Sequence, residues 1–475
     1  MALLGDLLGR GRADEPLVYV GIDSAITRAE LEASAAAFAQ KLRDAGVERG
    51  HAVAVSLANG ADIVAALFGV WALGGVYVPV NPRLTATERA DLLADVRPAA
   101  IVGDGGLEPV QRRAEAARYD DDVALISLTS GTTGRPKPVL LRHSGVLELL
   151  DGVLVTLRRG AKRDPAKTPM PNLIPVSLSL WAGIYQVLFA RRVGAAIVIL
   201  PRFETRAFAQ AVAHFAIRST VLPPAAMVML SDDESITDLA PLRYVRSISA
   251  PLSSLQARRF RDRFGIAVLN GWGQTEIGGE IVGWSGADAK AFGETKLGAV
   301  GRPHQGVIVR AVDDAGDDVA TGEPAELWVK TPALSAGYAN GADLSDRLSP
   351  DGWFRTGDVG RIDAEGFVWI EGRASDMINR GGLKVFPAEV AEVLQLCPAV
   401  TEAHVVGVPD ERLGEVPLAF VVLARAIGDG ELEALCRRHL APYKIPVRFV
   451  VVERLPRNEI GKVLSRELVE LEGAQ

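Results

Sequence analysis

The sequence predicts an α/β protein with a large N-terminal domain of parallel sheets, a β-rich subdomain and a small C-terminal α+β domain. Short apolar strands alternate with amphipathic helices up to about residue 270, which is typical of parallel sheets covered by helices. After residue 297 the pattern changes to apolar runs of strand length. A polar segment at 371–382 then separates a last α/β unit, as expected at a domain boundary.

The composition is that of a globular protein. The chain has 475 residues, of which 48% are hydrophobic and 23% charged, and this suits one large domain and one smaller domain. The net charge of −7 argues against nucleic acid as the main partner. Glycines and a proline interrupt the apolar run 63–80, which favours a helix followed by a strand over a membrane span. The N-terminus lacks a signal-peptide pattern and the two cysteines lack metal or disulfide spacing, so we expect a cytoplasmic protein.

The elements of the N-terminal part follow from apolar periodicity and from Gly, Asp and Pro at the joints. Helices are predicted over 27–45, 61–72, 144–155, 206–215 and 255–264, and strands over 53–57, 76–80, 99–102, 123–128, 196–200, 219–222, 244–248 and 266–269.

The C-terminal part is divided at the polar segment. Strands are predicted over 307–312, 326–329, 366–370, 402–408 and 417–422, and helices over 387–396 and 430–440, followed by the segment 446–452. We therefore expect a large domain at 1–371, a joint at 372–376 and a small domain at 377–475.

A loop rich in hydroxyl groups and glycine directly follows the strand that ends at Leu128. It contains Thr129, Ser130, Gly131, Thr132, Thr133 and Gly134, and Lys137 follows. Glycine lets the backbone approach a ligand, and successive N–H groups form a concave anion site, so the loop predicts a polyphosphate ligand. It is not a Walker A loop, because Arg-Pro-Lys follows Gly134. In isolation, a solvated turn without a ligand is the alternative.

A second loop combines an aromatic ring, a hydroxyl and a carboxylate. It consists of Asn270, Gly271, Trp272, Gly273, Gln274, Thr275 and Glu276. A purine can stack on Trp272, a phosphate oxygen can meet Thr275, and Glu276 can hold Mg²⁺. The loop does not complete a dinucleotide-binding fingerprint, because Glu276 occupies the place of the third glycine.

Three further polar residues are informative because of the order in which they and their neighbours occur along the chain. Asp358 follows Trp-Phe-Arg-Thr-Gly, Arg373 follows Glu-Gly, and Lys462 lies in Pro-Arg-Asn-Glu-Ile-Gly-Lys. A carboxylate expected at a strand end, as at Asp358, suits two vicinal hydroxyls. Each residue alone is more often a solvated turn residue.

The ordered set of motifs from Thr129 to Lys462 resembles that of the adenylate-forming superfamily of acyl-CoA synthetases, peptide-synthetase adenylation domains and luciferases. The segment after Arg373 resembles the aryl- and acyl-CoA ligase branch. The resemblance implies ATP, Mg²⁺ and coenzyme A as cofactors. It implies that Glu276 binds Mg²⁺, that Asp358 and Arg373 hold the ribose, and that Lys462 is catalytic together with Thr275 and Glu276.

Further roles rest on the resemblance alone. Ser249, Ala250 and Pro251 are expected beside the adenine and the acyl group, with Ser249 replacing the usual glycine. Gly381 and Gly382 are expected beside the pantetheine arm of CoA. Ser375 replaces the family's usual hinge residue, so either Ser375 or Asp376 is the pivot within 372–376.

An acyl pocket is also expected from the resemblance and from small or apolar side chains. Its predicted lining is Trp181, Met227, Ser249, Gly278 and Gly279. A histidine frequent in the family is absent from 174–183, which leaves Trp181 either as an aromatic gate or as a core residue. The lining favours an aromatic or medium-chain apolar acid.

The sequence therefore predicts a carboxylic acid–CoA ligase that forms an acyl-adenylate and releases pyrophosphate, then transfers the acyl group to CoA and releases AMP. Ser375 and the missing histidine motivate an alternative, transfer to a carrier-protein thiol or another nucleophile. A noncatalytic binding protein is disfavoured by the presence of Lys462, Glu276 and Asp358. A homodimer is expected only from the family.

Overall fold

The structure is a computed structural model that describes residues 3–110, 115–129, 137–158, 168–248, 252, 254–457 and 463–473. In this part of the chain the strands form six sheets. They are β1 (Pro16–Val20), β2 (Ser24–Thr27), β3 (Ala52–Val55), β4 (Val76–Pro79), β5 (Ala100–Gly103), β6 (Gly106–Pro109), β7 (Val123–Thr129), β8 (Lys137–Arg142), β9 (Asn172–Ile174), β10 (Ile197–Ile199), β11 (Ser219–Leu222), β12 (Tyr244–Ser247), β13 (Ala267–Asn270), β14 (Trp272–Gln274), β15 (Gly279–Gly283), β16 (Arg302–Pro303), β17 (Ile308–Val312), β18 (Ala325–Lys330), β19 (Phe354–Ile362), β20 (Val368–Arg373), β21 (Ile378–Arg380), β22 (Leu383–Val385), β23 (Val400–Asp410), β24 (Gly414–Leu423) and β25 (Arg448–Val451).

The helices predicted from the periodicity are present, and the structure also contains several helices that the sequence pattern did not predict. They are α1 (Arg28–Asp44), α2 (Ala61–Leu73), α3 (Ala86–Val96), α4 (His143–Arg158), α5 (Trp181–Val193), α6 (Thr205–His214), α7 (Pro224–Asp232), α8 (Ser254–Phe264), α9 (Gly286–Phe292), α10 (Pro387–Leu394), α11 (Glu431–His439) and α12 (Ser465–Gly473). The apolar run 63–80 forms α2 and β4, as predicted. None of the described helices is long and apolar enough to cross a membrane.

The sheet with strand order β6-β5-β3-β4-β7-β8 positions the loop expected to bind polyphosphate. Strands β3, β4 and β5 pair in parallel, and β3 and β4 are buried at every residue, which explains their continuous apolar sequences. Strand β8 returns antiparallel to β7, with Thr129 opposite Lys137. The two ends of the loop are thus held side by side, while residues 130–136 lie outside the described part.

A parallel sheet of β11, β12 and β13 positions the second loop. Ser247 at the end of β12 pairs with Asn270 at the end of β13. The carboxyl ends of both strands therefore meet at one edge, where ligands commonly bind in open α/β sheets. The chain leaves this edge at Gly271 and enters the small sheet of β14, β15 and β16.

The β-rich subdomain is an antiparallel sheet of β17, β18, β19 and β20. Asp358 lies inside the nine-residue β19, so the expectation that it stands at a strand end was wrong. Gly357 has a φ of +70°, a left-handed conformation that glycine adopts without strain, and the register of the β18–β19 pairing shifts between Arg355 and Val359, around this residue. Asp358 is directly opposite Arg373, the last residue of β20.

The C-terminal sheet has the order β22-β21-β24-β23, and β25 pairs in parallel with β24. Its strands and the helices α10 and α11 share a hydrophobic cluster that contains Ile378, Val390, Val421 and Leu435. This cluster uses residues after the predicted joint, which is the pattern expected of a separate domain. The division at 372–376 stays a prediction.

His143, which received no role from the sequence, is a structural residue at the start of α4. Its Nδ1 accepts a hydrogen bond of 3.1 Å from the backbone of Leu4, and its ring packs edge-on 5.8 Å from Trp71. The side chain is buried, and burial lowers the pKa of His143 to about 4.

This pKa makes stability depend on pH. Between pH 6.5 and about 4, the unfolded histidine takes up a proton that the folded one excludes. The contribution of His143 is therefore complete above pH 6.5 and falls as the pH decreases to about 4, by about 1.4 kcal/mol per unit. Asparagine at position 143 keeps a hydrogen-bond acceptor for the backbone of Leu4. Between pH 7.5 and 5, we expect the free energy of unfolding in urea to fall by about 2 kcal/mol less in His143→Asn than in the wild type. Equal losses in the two proteins would contradict this prediction.

Candidate active site

Asp358 is the centre of a buried hydrogen-bond network. Its Oδ2 accepts bonds of 2.8 Å from both Trp272 Nε1 and Gln274 Nε2. Its Oδ1 lies 2.7 Å from Arg373 Nε, and its backbone N–H donates to Thr356 Oγ1 at 3.0 Å. Only 5% of Asp358 is exposed. The three side-chain contacts fix the carboxylate before any ligand arrives, and the fourth holds the backbone that carries it.

The aromatic loop can make this network only because it has glycines around Trp272. A Cβ on Gly273 would lie 1.7 Å from the carbonyl oxygen of Gly279, and one on Gly271 would lie 2.8 Å from Cδ of Glu280. A side chain at Gly273 would therefore push β14 away from β15, and one at Gly271 would displace the side chain of Glu280. Trp272 is itself buried with its N–H bonded to Asp358, so it orients the carboxylate, while its stacking on a purine stays a prediction.

Glu276 lies beside two residues that the sequence did not single out. Its Oε1 is 3.5 Å from the guanidinium NH1 of Arg347. The same guanidinium donates to the side chain of Gln274 at 3.2 Å and to the carbonyl of Thr356 at 2.7 Å. Arg347 thus links the Glu276 carboxylate to the Asp358 network. Neither a motif nor a periodic pattern marks Arg347 in the sequence.

Tyr338 is the second residue that the sequence did not single out. The segment that carries it pairs with β8, since Leu140 N donates to Gly337 O and Ala339 N donates to Pro138 O. Burial, and then the negative charge of Glu276, raise the pKa of Tyr338 above its usual value. The Lys137 ammonium lies 5.5 Å from the centre of the Tyr338 ring. The end of the polyphosphate loop is thereby placed near Glu276.

The residues around Glu276 fit a bound Mg²⁺. The described part of the chain contains no group of three or more His, Cys, Asp or Glu side chains that could hold a metal ion by themselves. Magnesium, however, is usually bound by one or two carboxylates together with substrate phosphates and water. A single buried carboxylate near Lys137, the described end of the loop expected to bind polyphosphate, matches that mode. Thr275 begins the short turn 275–277 that carries Glu276, and its carbonyl accepts from Gly278 N at 3.0 Å.

Three of the predicted acyl-pocket residues lie together. Trp181 Nε1 donates to the carbonyl of Gly278 at 3.1 Å, and a Cβ on Gly279 would lie 2.8 Å from the same nitrogen. The indole therefore packs directly on the backbone after Glu276. Met227 is also buried, but it packs in the hydrophobic cluster of α6 and α7 rather than in the cluster of Trp181.

The remaining predicted residues divide into two groups. Gly381 and Gly382 form the turn between β21 and β22, with φ values of +60° and +88°. Ser375 Oγ lies 2.9 Å from Asp376 Oδ1 in the turn after Arg373. The predicted residues outside the described part are Ser130, Gly131, Thr132, Thr133, Gly134, Ser249, Ala250, Pro251 and Lys462.

Comparison with known proteins confirms the family that the sequence motifs resemble. A family model described as AMP-binding enzyme matches residues 9–119 and 103–339, and one described as AMP-binding enzyme C-terminal domain matches residues 389–462. Indoleacetate–CoA ligase of Aromatoleum aromaticum is 30% identical, over 94% of this chain and 93% of its own length.

Solved structures are also similar over nearly the whole chain. One is o-succinylbenzoate CoA synthetase from Bacillus subtilis in complex with its acyl-adenylate intermediate, with a TM-score of 0.85, 27% identity and 98% coverage of both chains. Another is an amide bond synthetase from Marinactinospora thermotolerans, with a TM-score of 0.84, 27% identity, and coverage of 98% of this chain and 99% of that one.

The Arg347–Glu276 pair predicts a change in magnesium dependence. We expect Arg347→Met to lower the half-saturating Mg²⁺ concentration of the ATP-dependent reaction about threefold, because the carboxylate loses a competing cation while the methionine still packs on Phe354. Titration of Mg²⁺ at fixed ATP measures this. Arg355→Met is the control, since Arg355 lies on β19 next to Phe354 but stacks on Trp328. An unchanged or higher Mg²⁺ requirement in Arg347→Met would contradict the prediction.

Proposed function

This chain belongs to the AMP-binding enzyme family, and from that premise we propose how its site performs the reaction of an AMP-forming carboxylic acid–CoA ligase. The enzyme is an acid–thiol ligase that uses ATP, Mg²⁺ and CoA. One observation carries the assignment of the site. Asp358 is a buried carboxylate fixed by Trp272, Gln274 and Arg373, and Arg347 connects this network to Glu276.

In the first half-reaction, Asp358 and Arg373 hold the ribose hydroxyls of ATP. The loop from Thr129 to Lys137 holds the β- and γ-phosphates. Glu276 would hold Mg²⁺, which would withdraw charge from the phosphate oxygens when bound. An oxygen of the substrate carboxylate attacks the α-phosphorus, and the bond from that phosphorus to the bridging oxygen of pyrophosphate breaks. Lys462 supplies a positive charge where the carboxylate meets the α-phosphate.

In the second half-reaction, the thiol of CoA loses its proton to water and attacks the carbonyl carbon of the acyl-adenylate. The bond between that carbon and the AMP oxygen breaks, and AMP leaves. The first step is necessary because a carboxylate has no good leaving group, whereas AMP is one. Gly381 and Gly382, which form a turn without side chains, are the proposed contact for the pantetheine arm.

Rotation of a small domain between the two half-reactions is part of the proposal. The large domain is 1–371, the small domain 377–475, and the pivot is Ser375 or Asp376 within 372–376. Support comes from the hydrophobic clusters after residue 377, which are built from C-terminal residues. A cytoplasmic location and a homodimer are further expectations of this proposal.

A different acyl acceptor is the second candidate function. The similarity to an amide bond synthetase favours it, because an amide bond forms when an acyl group is passed to an amine. A carrier-protein thiol is the other acceptor expected from the sequence. In both cases the first half-reaction and its residues would be the same.

Pyrophosphate release from ATP and Mg²⁺ across a panel of carboxylic acids, with and without CoA, tests the proposal. We expect release with one class of acid, and many turnovers only when CoA is present. Lys462→Ala should slow adenylation about a hundredfold or more, because a cation at the reacting charge is lost. Lys444→Ala is the control, since Lys444 lies in the same C-terminal part and pairs with Glu389.

The outcomes separate the candidates. Acid-dependent release that is unaffected by CoA but accelerated by an amine or a carrier protein would favour the second candidate. Absence of release with every acid, or full activity in Lys462→Ala, would contradict the proposed mechanism.

A further inference from the structure

The hydroxyl of Tyr338 is a buried polar group that lacks a hydrogen-bond partner. Only 7% of Tyr338 is exposed, and its Oη makes no hydrogen bond in the described part of the chain. Most buried polar atoms in proteins are paired with protein, ligand or water, because an unpaired atom has lost its hydration without compensation. A ligand that binds beside this hydroxyl can therefore supply the missing partner.

The backbone holds Tyr338 between two parts of the candidate active site. On one side, Ser335 N donates to the carbonyl of Glu276 at 2.8 Å. On the other side, Tyr338 forms an antiparallel bridge with Val139 of β8, two residues after Lys137. The main chain thus fixes Tyr338 between the residue expected to hold Mg²⁺ and the described end of the loop expected to bind polyphosphate.

Charged groups lie around the Tyr338 side chain. The Lys137 ammonium lies 5.5 Å from the centre of its ring. The Glu276 carboxylate and the Arg347 guanidinium lie close enough to its hydroxyl to shift the pKa, but neither forms a hydrogen bond with it. Burial, and then the charge of Glu276, raise the pKa of Tyr338, so the hydroxyl keeps its proton at neutral pH and can donate a hydrogen bond.

The partner that these groups favour is an anion that accepts hydrogen bonds. A carboxylate ion pair with Lys137 is absent from the described part of the chain, so its charge is available to a ligand. Mg²⁺ bound by a single carboxylate shares its coordination with substrate phosphates, so phosphates bound at Glu276 would also lie beside the Tyr338 hydroxyl. Phosphate oxygens accept hydrogen bonds and carry the negative charge that Lys137 attracts.

We propose that the Tyr338 hydroxyl donates a hydrogen bond to the pyrophosphate part of ATP and holds it beside Lys137 and Glu276 for adenylation. This rests on the proposed ligase function and adds to its site a residue that the sequence did not single out. The competing role for the hydroxyl is donation to Glu276 alone, which would support the metal-binding carboxylate and leave the phosphates untouched. The two roles differ in whether ATP affinity depends on the hydroxyl when Mg²⁺ is absent.

Binding of ATP and of AMP to Tyr338→Phe tests the proposal, because this variant removes the hydroxyl and keeps the ring beside Lys137. Isothermal titration calorimetry on the full-length enzyme, without acid or CoA, gives both dissociation constants. We expect ATP to bind about tenfold or more weakly than to the wild type, both with Mg²⁺ and with EDTA. AMP lacks the β- and γ-phosphates, so its affinity should stay within about twofold.

Urea unfolding of the ligand-free protein separates this role from a structural one. Loss of an unpaired hydroxyl should leave the unfolding midpoint of Tyr338→Phe unchanged or raise it. Tyr77→Phe is the matched control. The hydroxyl of Tyr77 is also buried and without a partner in the described residues, but it lies in the hydrophobic cluster that contains Ile63 and Val187. This control should keep the wild-type affinities for both nucleotides.

Four results would overturn the proposal. The first two are an unchanged ATP affinity in Tyr338→Phe and an equal loss of affinity for ATP and AMP. The third is a loss of ATP affinity that occurs with Mg²⁺ but not with EDTA, which would assign the hydroxyl to Glu276. The fourth is a clearly lower unfolding midpoint. Failure of the ligase function would appear elsewhere, as absence of pyrophosphate release by the wild type with every acid.

Discussion

The buried carboxylate of Asp358 must be stabilised by hydrogen-bond donors, and these donors come from separate segments of the candidate site. An unpaired buried charge costs several kcal/mol, so the fold must bring donors to it. Trp272 and Gln274 come from the loop after β13, and Arg373 comes from the neighbouring strand β20. The charge that is proposed to bind ribose therefore joins the segment after the sheet of β11, β12 and β13 to the β-rich subdomain.

The sequence predicted those helices and strands that are determined by local sequence pattern, such as apolar periodicity and capping residues. Helix α1, with its Thr27 and Glu30 capping pair, and strand β11 lie where periodicity places them. The position of Asp358 inside β19 was missed, because the left-handed Gly357 lets a strand continue through what resembles a turn. Helix α7 was also missed, since two prolines at 223 and 224 suggest a loop but in fact begin the helix.

Site residues could be predicted only where a chemically suitable side chain belongs to a motif that occurs in the expected order along the chain. Asp358, Arg373 and Glu276 belong to recognisable motifs, and the structure places the first two in contact. Arg347 and Tyr338 act through partners that are distant in sequence, Glu276 and Lys137. No local pattern marks such a residue, because its meaning depends on tertiary packing. Its partner can be identified only from a three-dimensional structure that places both side chains.

The central claim is that Asp358 is held ready for the two hydroxyls of a ribose. Comparison of kcat/KM for ATP, 2′-deoxy-ATP and 3′-deoxy-ATP tests it most directly. The account predicts that removal of either hydroxyl lowers kcat/KM about tenfold or more, since the buried carboxylate loses one hydrogen bond from the ribose, and that Asp358→Asn largely abolishes this discrimination. Equal use of the three nucleotides by the wild-type enzyme would contradict the account.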